Sequence, residues 1–197
     1  MKDTVIAFFS DLLAVILGIV ITFAIQDGID RAADRKDVRS ALELVRTELL
    51  NNRDDLATMS EYLDEEKKAA EFFIRHHDAP QAAPADSAEY LGSILFADAY
   101  ITVSNDALEL LKSSSLLPKI GDNLLSMKII RAYDSSSSFA AALNRHIASR
   151  DAHLEQSEDF LKSDEGLAGL RWLVTQYTPE FFSDIDEALS AIESYLK

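Results

Sequence analysis

The chain has 197 residues with 34 acidic and 19 basic side chains, a formal net charge of -15, and no cysteine. Nucleic-acid affinity rests on clustered lysine and arginine, so this charge balance argues against a nucleic-acid partner. The lack of cysteine excludes disulfides, thiolate metal ligands and cysteine nucleophiles. The six glycines and four prolines are few for a β-rich fold and favour helices.

Residues 5–25 form the most apolar stretch of the chain. Its only polar side chains are Ser10, Asp11 and Thr22. About 20 apolar residues cross the hydrocarbon core of a bilayer, so we expect a transmembrane anchor, with residues 1–28 as anchor and hinge. Two alternatives are a cleaved signal peptide, for which no small-x-small cleavage site follows, and a buried core helix formed by the uninterrupted residues 12–25.

Asp11 is the unusual residue of this stretch, because a charge near the middle of a membrane costs about 2.5–3.5 kcal/mol. Gly18 follows two helical turns later on nearly the same face, and a glycine there lets a second helix approach closely. The pair indicates a packing contact within a homo-oligomer or with a membrane partner. The alternatives are an ion or proton path, and an acid that is protonated or reaches the membrane surface.

Gly28 predicts a hinge after the anchor, because glycine is a poor helix former. The flanking charges predict the orientation: Lys2 precedes the anchor, whereas four cations follow it closely. These four are Arg31, Arg35, Lys36 and Arg39. By the positive-inside rule the domain formed by residues 29–197 is cytoplasmic.

A long stalk helix is predicted over residues 29–77, where apolar side chains recur at alternating spacings of four and three. This seven-residue repeat is typical of the seam of a left-handed bundle or coiled coil. Asn52 and Glu66 interrupt it, and Asn52 either forms a buried polar layer that sets the register or faces a gap or water. The seam consists of Val38, Leu42, Val45, Leu49, Asn52, Leu56, Met59 and Leu63.

Residues 78–87 contain two prolines and are predicted to be a loop. The remaining residues, 88–197, read as further helices. The first two are short, over residues 88–96 and 106–113, with Ser104 or Asn105 capping the second.

A second long helix is predicted over residues 120–162. The serine run 135–138 inside it indicates a kink or a zone where another helix comes close, because serine is a poor helix former. A shorter helix over 167–177 follows, and Thr178-Pro179 predicts an N-cap and the start of the last helix. The expected fold is all-α: a transmembrane helix that continues into an antiparallel bundle with the two long helices paired.

Two patches resemble a large family of uncharacterised bacterial single-pass membrane proteins. The second patch is TVSNDALELLKSSSLLPKIGDNLL, residues 102–125, with Ala132-Tyr133 further on. The first combines an acid, a glycine within an aliphatic run and a charged exit: Asp11, Gly18, Asp30, Arg31, Arg35 and Lys36. The resemblance implies the bacterial inner membrane and a periplasmic domain, opposite to the charge count, and it implies no known activity.

Histidines are the candidate metal ligands, but their spacing does not favour a site. His76 and His77 are adjacent and point about 100° apart on a helix. His146 and His153 are seven residues and roughly 10 Å apart, with Arg150 between them. The sequence also has no nucleophile-elbow motif and no glycine-rich phosphate loop, so we predict no catalytic, metal or cofactor site.

The sequence thus predicts a non-enzymatic, membrane-anchored scaffold that oligomerises or joins a complex through its anchor and stalk seam. Its partners would be the lipid bilayer and either further copies or a membrane complex. One alternative is a sensor whose bundle binds a ligand, and a less favoured one is an ion-conducting oligomer with Asp11 lining the pore. A scaffold would expose a continuous apolar surface, whereas a sensor would enclose a pocket.

Overall fold

The computed structural model describes residues 2–76, 101–154 and 164–197, with side chains described from residue 16 onward except for a few beside the gaps. Every regular element within these ranges is a helix, which confirms the all-α fold. The elements are α1 (Lys2–His76), α2 (Asp106–Ser113), a 3-10 turn (Leu117–Ile120), α3 (Asn123–Leu154), α4 (Asp164–Trp172), a π-helical turn (Leu173–Tyr177) and α5 (Thr178–Leu196).

The first helix, α1, is a single rod of 75 residues, about 112 Å long at 1.5 Å per residue. It passes without interruption through Gly28, the position at which the sequence predicts a hinge. A glycine in a helix interior costs only about 1 kcal/mol of helix stability. Two polar contacts also connect residues before Gly28 with residues after it. These contacts join Gln26 to Asp30 at 2.9 Å and Asp27 to Arg31 at 2.6 Å.

The N-terminal part of α1 differs from the rest of the helix in its exposure. All side chains from residue 16 to residue 33 are exposed, and burial sets in at Val38. Among the residues whose side chains the structure describes, which begin at residue 16 in α1, no helix has an apolar stretch long enough to cross a membrane.

The two long helices, α1 and α3, run parallel to each other, so the predicted antiparallel pairing is wrong. The reason is that the segment 101–120 first returns along α1 toward the N-terminal end of the bundle. Only then does α3 begin, and it rises in the same direction as α1. Three contacts show this order: Lys119 with Asp34, Tyr133 with Glu48, and Arg150 with Glu66.

The last helix, α5, runs antiparallel to both long helices and completes an up-down-up-down arrangement. Arginines spaced seven residues apart on α1 mark its path, at positions that flank the seam. The three pairs are Arg39 with the Leu196 carbonyl, Arg46 with Glu193 at 3.3 Å, and Arg53 with Asp186 at 2.8 Å. The hydrogen bond to Asp186 raises the pKa of Arg53.

The serine run does not interrupt α3, which is continuous over Asn123–Leu154. Ser136 is fully buried and its hydroxyl donates to the Ala132 carbonyl at 2.6 Å, while Ser135 donates to Asp184 of α5. The run is therefore a small-residue zone against which α5 packs.

The last helix begins at Thr178 with Pro179 in its first turn, as predicted, but the predicted N-cap is wrong. Thr178 has helical angles, and a π-helical turn joins it to α4. Proline has no N–H to donate within a helix, and the wider π turn accommodates this missing hydrogen bond. The Thr178 hydroxyl donates to the Leu173 carbonyl at 2.9 Å.

The remaining boundaries follow the sequence in part. The short helix over 106–113 is confirmed, and α3 begins at Asn123 instead of Ile120 because a 3-10 turn precedes it and ends at Gly121, whose φ is 72°. The loop predicted over 78–87, the helix over 88–96 and the end of the long helix beyond Leu154 lie outside the described residues.

Candidate functional site

The exposed N-terminal segment of α1, residues 16–25, contains nine apolar or glycine residues and one polar one. Thr22 is the polar residue, and its hydroxyl donates to the Gly18 carbonyl at 2.8 Å. A hydroxyl satisfied within its own helix suits an apolar environment. The large side chains are 48–71% exposed: Ile16, Leu17, Ile19, Val20, Ile21, Phe23 and Ile25.

Asp11 and Gly18 lie on the same unbroken helix, two turns apart as expected. The side chain of Asp11 is outside the described residues. A Cβ placed on Gly18 would meet no described atom within 4 Å. Any helix that packs against Gly18 must therefore come from beyond the described part of this chain.

The stalk seam lies in the core of the same chain. Six of its residues are fully buried, and Met59 packs against the core with partial exposure. A partner cannot use these side chains without unfolding the bundle, which corrects the expectation that the seam is a docking surface. The fully buried residues are Val38, Leu42, Val45, Leu49, Leu56 and Leu63.

Asn52 is 3% exposed, so the expectation that it faces a gap or water is wrong. Its amide donates to the Ser104 carbonyl at 2.7 Å and accepts from the Ser104 N–H at 3.0 Å. Asn144 of α3 binds Ile101 in the same two-way manner, at 2.8 and 3.2 Å. Buried backbone groups need partners, and these two amides supply them where segment 101–105 is not helical.

Glu48 forms a second junction beside Asn52. Its carboxylate accepts hydrogen bonds from the Ser104 hydroxyl at 2.5 Å, from the Ala107 N–H at 3.1 Å and from the Tyr133 hydroxyl at 2.6 Å. It therefore caps the start of α2 and ties α1 to α3. Burial, reinforced by Glu48, raises the pKa of Tyr133 far above its usual value, so Tyr133 stays a hydrogen-bond donor.

A buried ionic cluster joins α1 and α3 near the other end of the bundle. Glu66 is 0% exposed and Arg150 is 1% exposed. His146 Nε2 lies 3.3 Å from both Glu66 oxygens, and Arg150 lies 3.5 Å from Glu66. Arg150 also donates to the Tyr62 hydroxyl and to Asp151, both at 3.0 Å.

The ionic cluster keeps its charges by mutual pairing. Burial alone lowers the pKa of Arg150, but Glu66, Tyr62 and Asp151 outweigh it and raise that pKa. Burial and the nearby Glu66 charge raise the pKa of Tyr62. The pairing ties Arg150 of α3 to Glu66 and Tyr62 of α1.

The sequence contains a pattern that indicates this cluster, and it becomes visible when the buried faces of α1 and α3 are compared with each other. Glu66 interrupts the seam of α1, and Arg150 falls on the buried stripe of α3. Opposite charges at core positions of two helices indicate a buried pair.

Two grooves cross the bundle surface, and both are open to solvent. One, of about 410 Å³, lies between α3 and α5 and includes Met127 and Tyr177. The other, of about 520 Å³, lies between α1 and α2 and includes Leu44 and Leu110.

Within residues 2–76, 101–154 and 164–197, no group of three or more side chains could hold a metal ion. His77 and the side chains of His76 and His153 lie outside the described residues. Comparison of the chain with protein-family models, curated proteins and solved structures finds no match.

Proposed function

We propose that the protein is a non-enzymatic, membrane-anchored helical scaffold. Residues 5–25 of α1 form the anchor, and the bundle that begins at Val38 is the domain it holds at the membrane. The observation that carries the proposal is the exposed apolar surface of residues 16–25. For residues 5–15 the proposal rests on the sequence.

The energetics support a lipid environment or a helix partner for this segment. Removing a large apolar side chain from water contributes about 1.5–3 kcal/mol, and seven such side chains lie exposed within ten residues. Continuous exposed apolar surface marks a membrane or protein contact. The segment is apolar around its whole circumference, as a membrane helix is, whereas the bundle half of α1 is apolar on one face.

Assembly through the anchor is the second part of the proposal. Because the seam is filled by the chain's own helices, a homo-oligomer or a membrane complex would form through the face that carries Asp11 and Gly18. An open side at Gly18 leaves room for a close helix approach. Asp11 would then lie at a protein contact, where acids in membranes usually lie.

Flotation of the full-length chain with liposomes tests the anchor. The variant Ile16→Lys/Ile19→Lys should stay with the soluble fraction, because both positions lie near the middle of residues 5–25 and each lysine near mid-membrane costs about 2.5–3.5 kcal/mol. Leu44→Lys/Leu110→Lys is the matched control on the bundle and should float like the parent. If the first variant also floats, the anchor proposal is wrong.

Assembly and topology are tested separately. The oligomeric mass of the full chain in mild detergent should fall in Asp11→Leu or Gly18→Ile, whereas Gly28→Ile should leave it unchanged. An unchanged mass in all three variants would contradict assembly through Asp11 and Gly18. Alkaline-phosphatase and fluorescent-protein fusions at Lys197 distinguish a periplasmic domain, as the family resemblance implies, from a cytoplasmic one, as the charge count predicts.

A further inference from the structure

The groove between α1 and α2 has the size and shape to hold a helical segment. Along α1 it extends from Leu44 to Asp55, about 16 Å or three helical turns. Leu44 and Leu110 face it from the two helices and are 52% and 48% exposed. The described residues that dominate its lining are Leu44, Glu48, Asn52, Asp55, Asp106 and Leu110.

The chemistry of this groove is apolar with a negative rim. Asp55 and Asp106 contribute exposed carboxylates, whereas that of Glu48 is bound by donors of the bundle, and among the described residues that line the groove none is a cation. The groove between α3 and α5 differs, because Arg131 lies among its acids. Of these two grooves in the described part of the chain, the one between α1 and α2 combines exposed leucines with charge of one sign.

Both walls of the groove are held in place before any partner arrives. Asn52 holds Ser104, and Glu48 binds the Ala107 N–H at the start of α2. The groove thus needs little ordering on binding, which favours affinity.

We propose that this groove docks an amphipathic helix of a partner protein that presents leucine-like anchors flanked by lysine or arginine. Leucines of the partner would pack between Leu44 and Leu110, as in other helix-in-groove contacts. Its cations would lie along the rim formed by Asp55 and Asp106. The inference rests on the proposed scaffold function and names the surface that the scaffold uses outside the membrane.

The test uses the full-length chain in zwitterionic lipid nanodiscs, with empty nanodiscs as the blank. The probe is a fluorescent amphipathic peptide of leucine and lysine, about 14 residues long to cover the groove, and a leucine–glutamate peptide of the same pattern is its control. The first peptide should bind saturably and more weakly as salt rises, and the second should not bind.

Two matched variant pairs locate the binding. Leu44→Ser/Leu110→Ser should raise the dissociation constant of the leucine–lysine peptide about tenfold or more. Leu124→Ser/Met127→Ser, at side chains that are each 64% exposed elsewhere on the bundle, should change it less than about twofold. Asp55→Asn should reduce the salt dependence, whereas Asp54→Asn, the exposed neighbour outside the lining, should leave it intact.

The docking proposal is wrong if the two variants of either pair change peptide binding equally, or if the two peptides bind equally well. If Leu44→Ser/Leu110→Ser instead lowers the oligomeric mass of the chain, the occupant is a second copy and the proposal is wrong. Circular dichroism checks that this variant is folded, and if it is not, the Asp55→Asn and Asp54→Asn pair decides. Failure of the flotation test would reject the anchor without changing these binding curves, so the two proposals fail separately.

Discussion

One helix, α1, passes through two different environments. Its residues 16–33 are exposed on every side, whereas residues 38–70 bury a stripe against the rest of the bundle. The helix hydrogen bonds do not change between the two parts. The difference lies in the pattern: the first part is apolar all round up to Ile25, and the second is apolar every three or four residues, which lets other helices pack on one face.

The contrast teaches where the stability of α1 comes from. The buried part is fixed by contacts with α2, α3 and α5, including two polar junctions. The exposed part has no such contacts among the described residues, so its stability as a helix depends on its surroundings. Substitutions in the buried part should therefore change the free energy of unfolding, whereas substitutions in the exposed part should change membrane association.

The largest effect is expected at the buried ionic cluster. Arg150→Leu removes the arginine partner of the buried Glu66, and should lower the free energy of unfolding by about 3–5 kcal/mol. Adding Glu66→Leu should recover most of that loss. Arg145→Leu, at an exposed position on the same helix, should change it by less than about 0.5 kcal/mol. Urea unfolding of the full chain in mild detergent measures all three, and a small effect of Arg150→Leu alone would contradict the pairing.

A pair of identical substitutions compares the two parts of α1 directly. Leu49 is 0% exposed and Leu17 is 52% exposed. Leu49→Ala should cost about 2–5 kcal/mol of unfolding free energy because it opens a cavity in the core. Leu17→Ala should change the same quantity by less than about 0.5 kcal/mol. Equal losses in denaturant unfolding would mean that both leucines are in the folded core.

A smaller effect is expected at the amide contact of α1. Asn52→Ala removes both hydrogen bonds to Ser104, and leaving these backbone groups unpaired should cost about 1–3 kcal/mol. Asn51→Ala is the control, since Asn51 is exposed. Hydrogen exchange of the Ser104 amide should accelerate only in the first variant. Unchanged exchange there would show that water replaces Asn52 without loss.

The smallest effect concerns the junction between the two parts. A Cβ at Gly28 meets no described atom within 4 Å, so Gly28→Ala should stabilise the local helix by about 1 kcal/mol. Spin labels at residues 21 and 36 should report one narrow distance near 22 Å in both the parent and the variant. A broad distribution in the parent that narrows in the variant would restore the hinge predicted from the sequence.

Local patterns predicted the helices well, because a helix depends on neighbours in the chain. The seven-residue repeat of α1 predicted which side chains point to the core, and Asp106–Ser113 was found from its leucines. Its predicted cap was wrong, because Asn105 makes no side-chain cap and Glu48 binds the Ala107 N–H instead. The same reasoning failed where distant contacts decide. Asn52 is buried because segment 101–105 needs its amide, and nothing near Asn52 in the sequence reveals this.

Helix direction was equally beyond local reasoning. The parallel course of α1 and α3 follows from the segment between them running back along α1, and the sequence of either helix alone is compatible with both directions. Two pairs are needed to define the direction: Tyr133 with Glu48 and Arg150 with Glu66 follow the same order along both helices, which requires a parallel course. At Thr178-Pro179 the local rule located the start of α5 but not its cap, because a π turn joins α4 to α5 and Thr178 already has helical angles.

Cysteine labelling tests the central claim most directly, since the chain has no cysteine of its own. Leu17 and Leu44 are both 52% exposed in α1, one in the proposed anchor and one on the bundle. In lipid nanodiscs, Leu17→Cys should react with a charged, water-soluble maleimide about tenfold or more slowly than Leu44→Cys, because a thiolate forms poorly in hydrocarbon. Equal labelling rates would contradict a membrane-anchored α1.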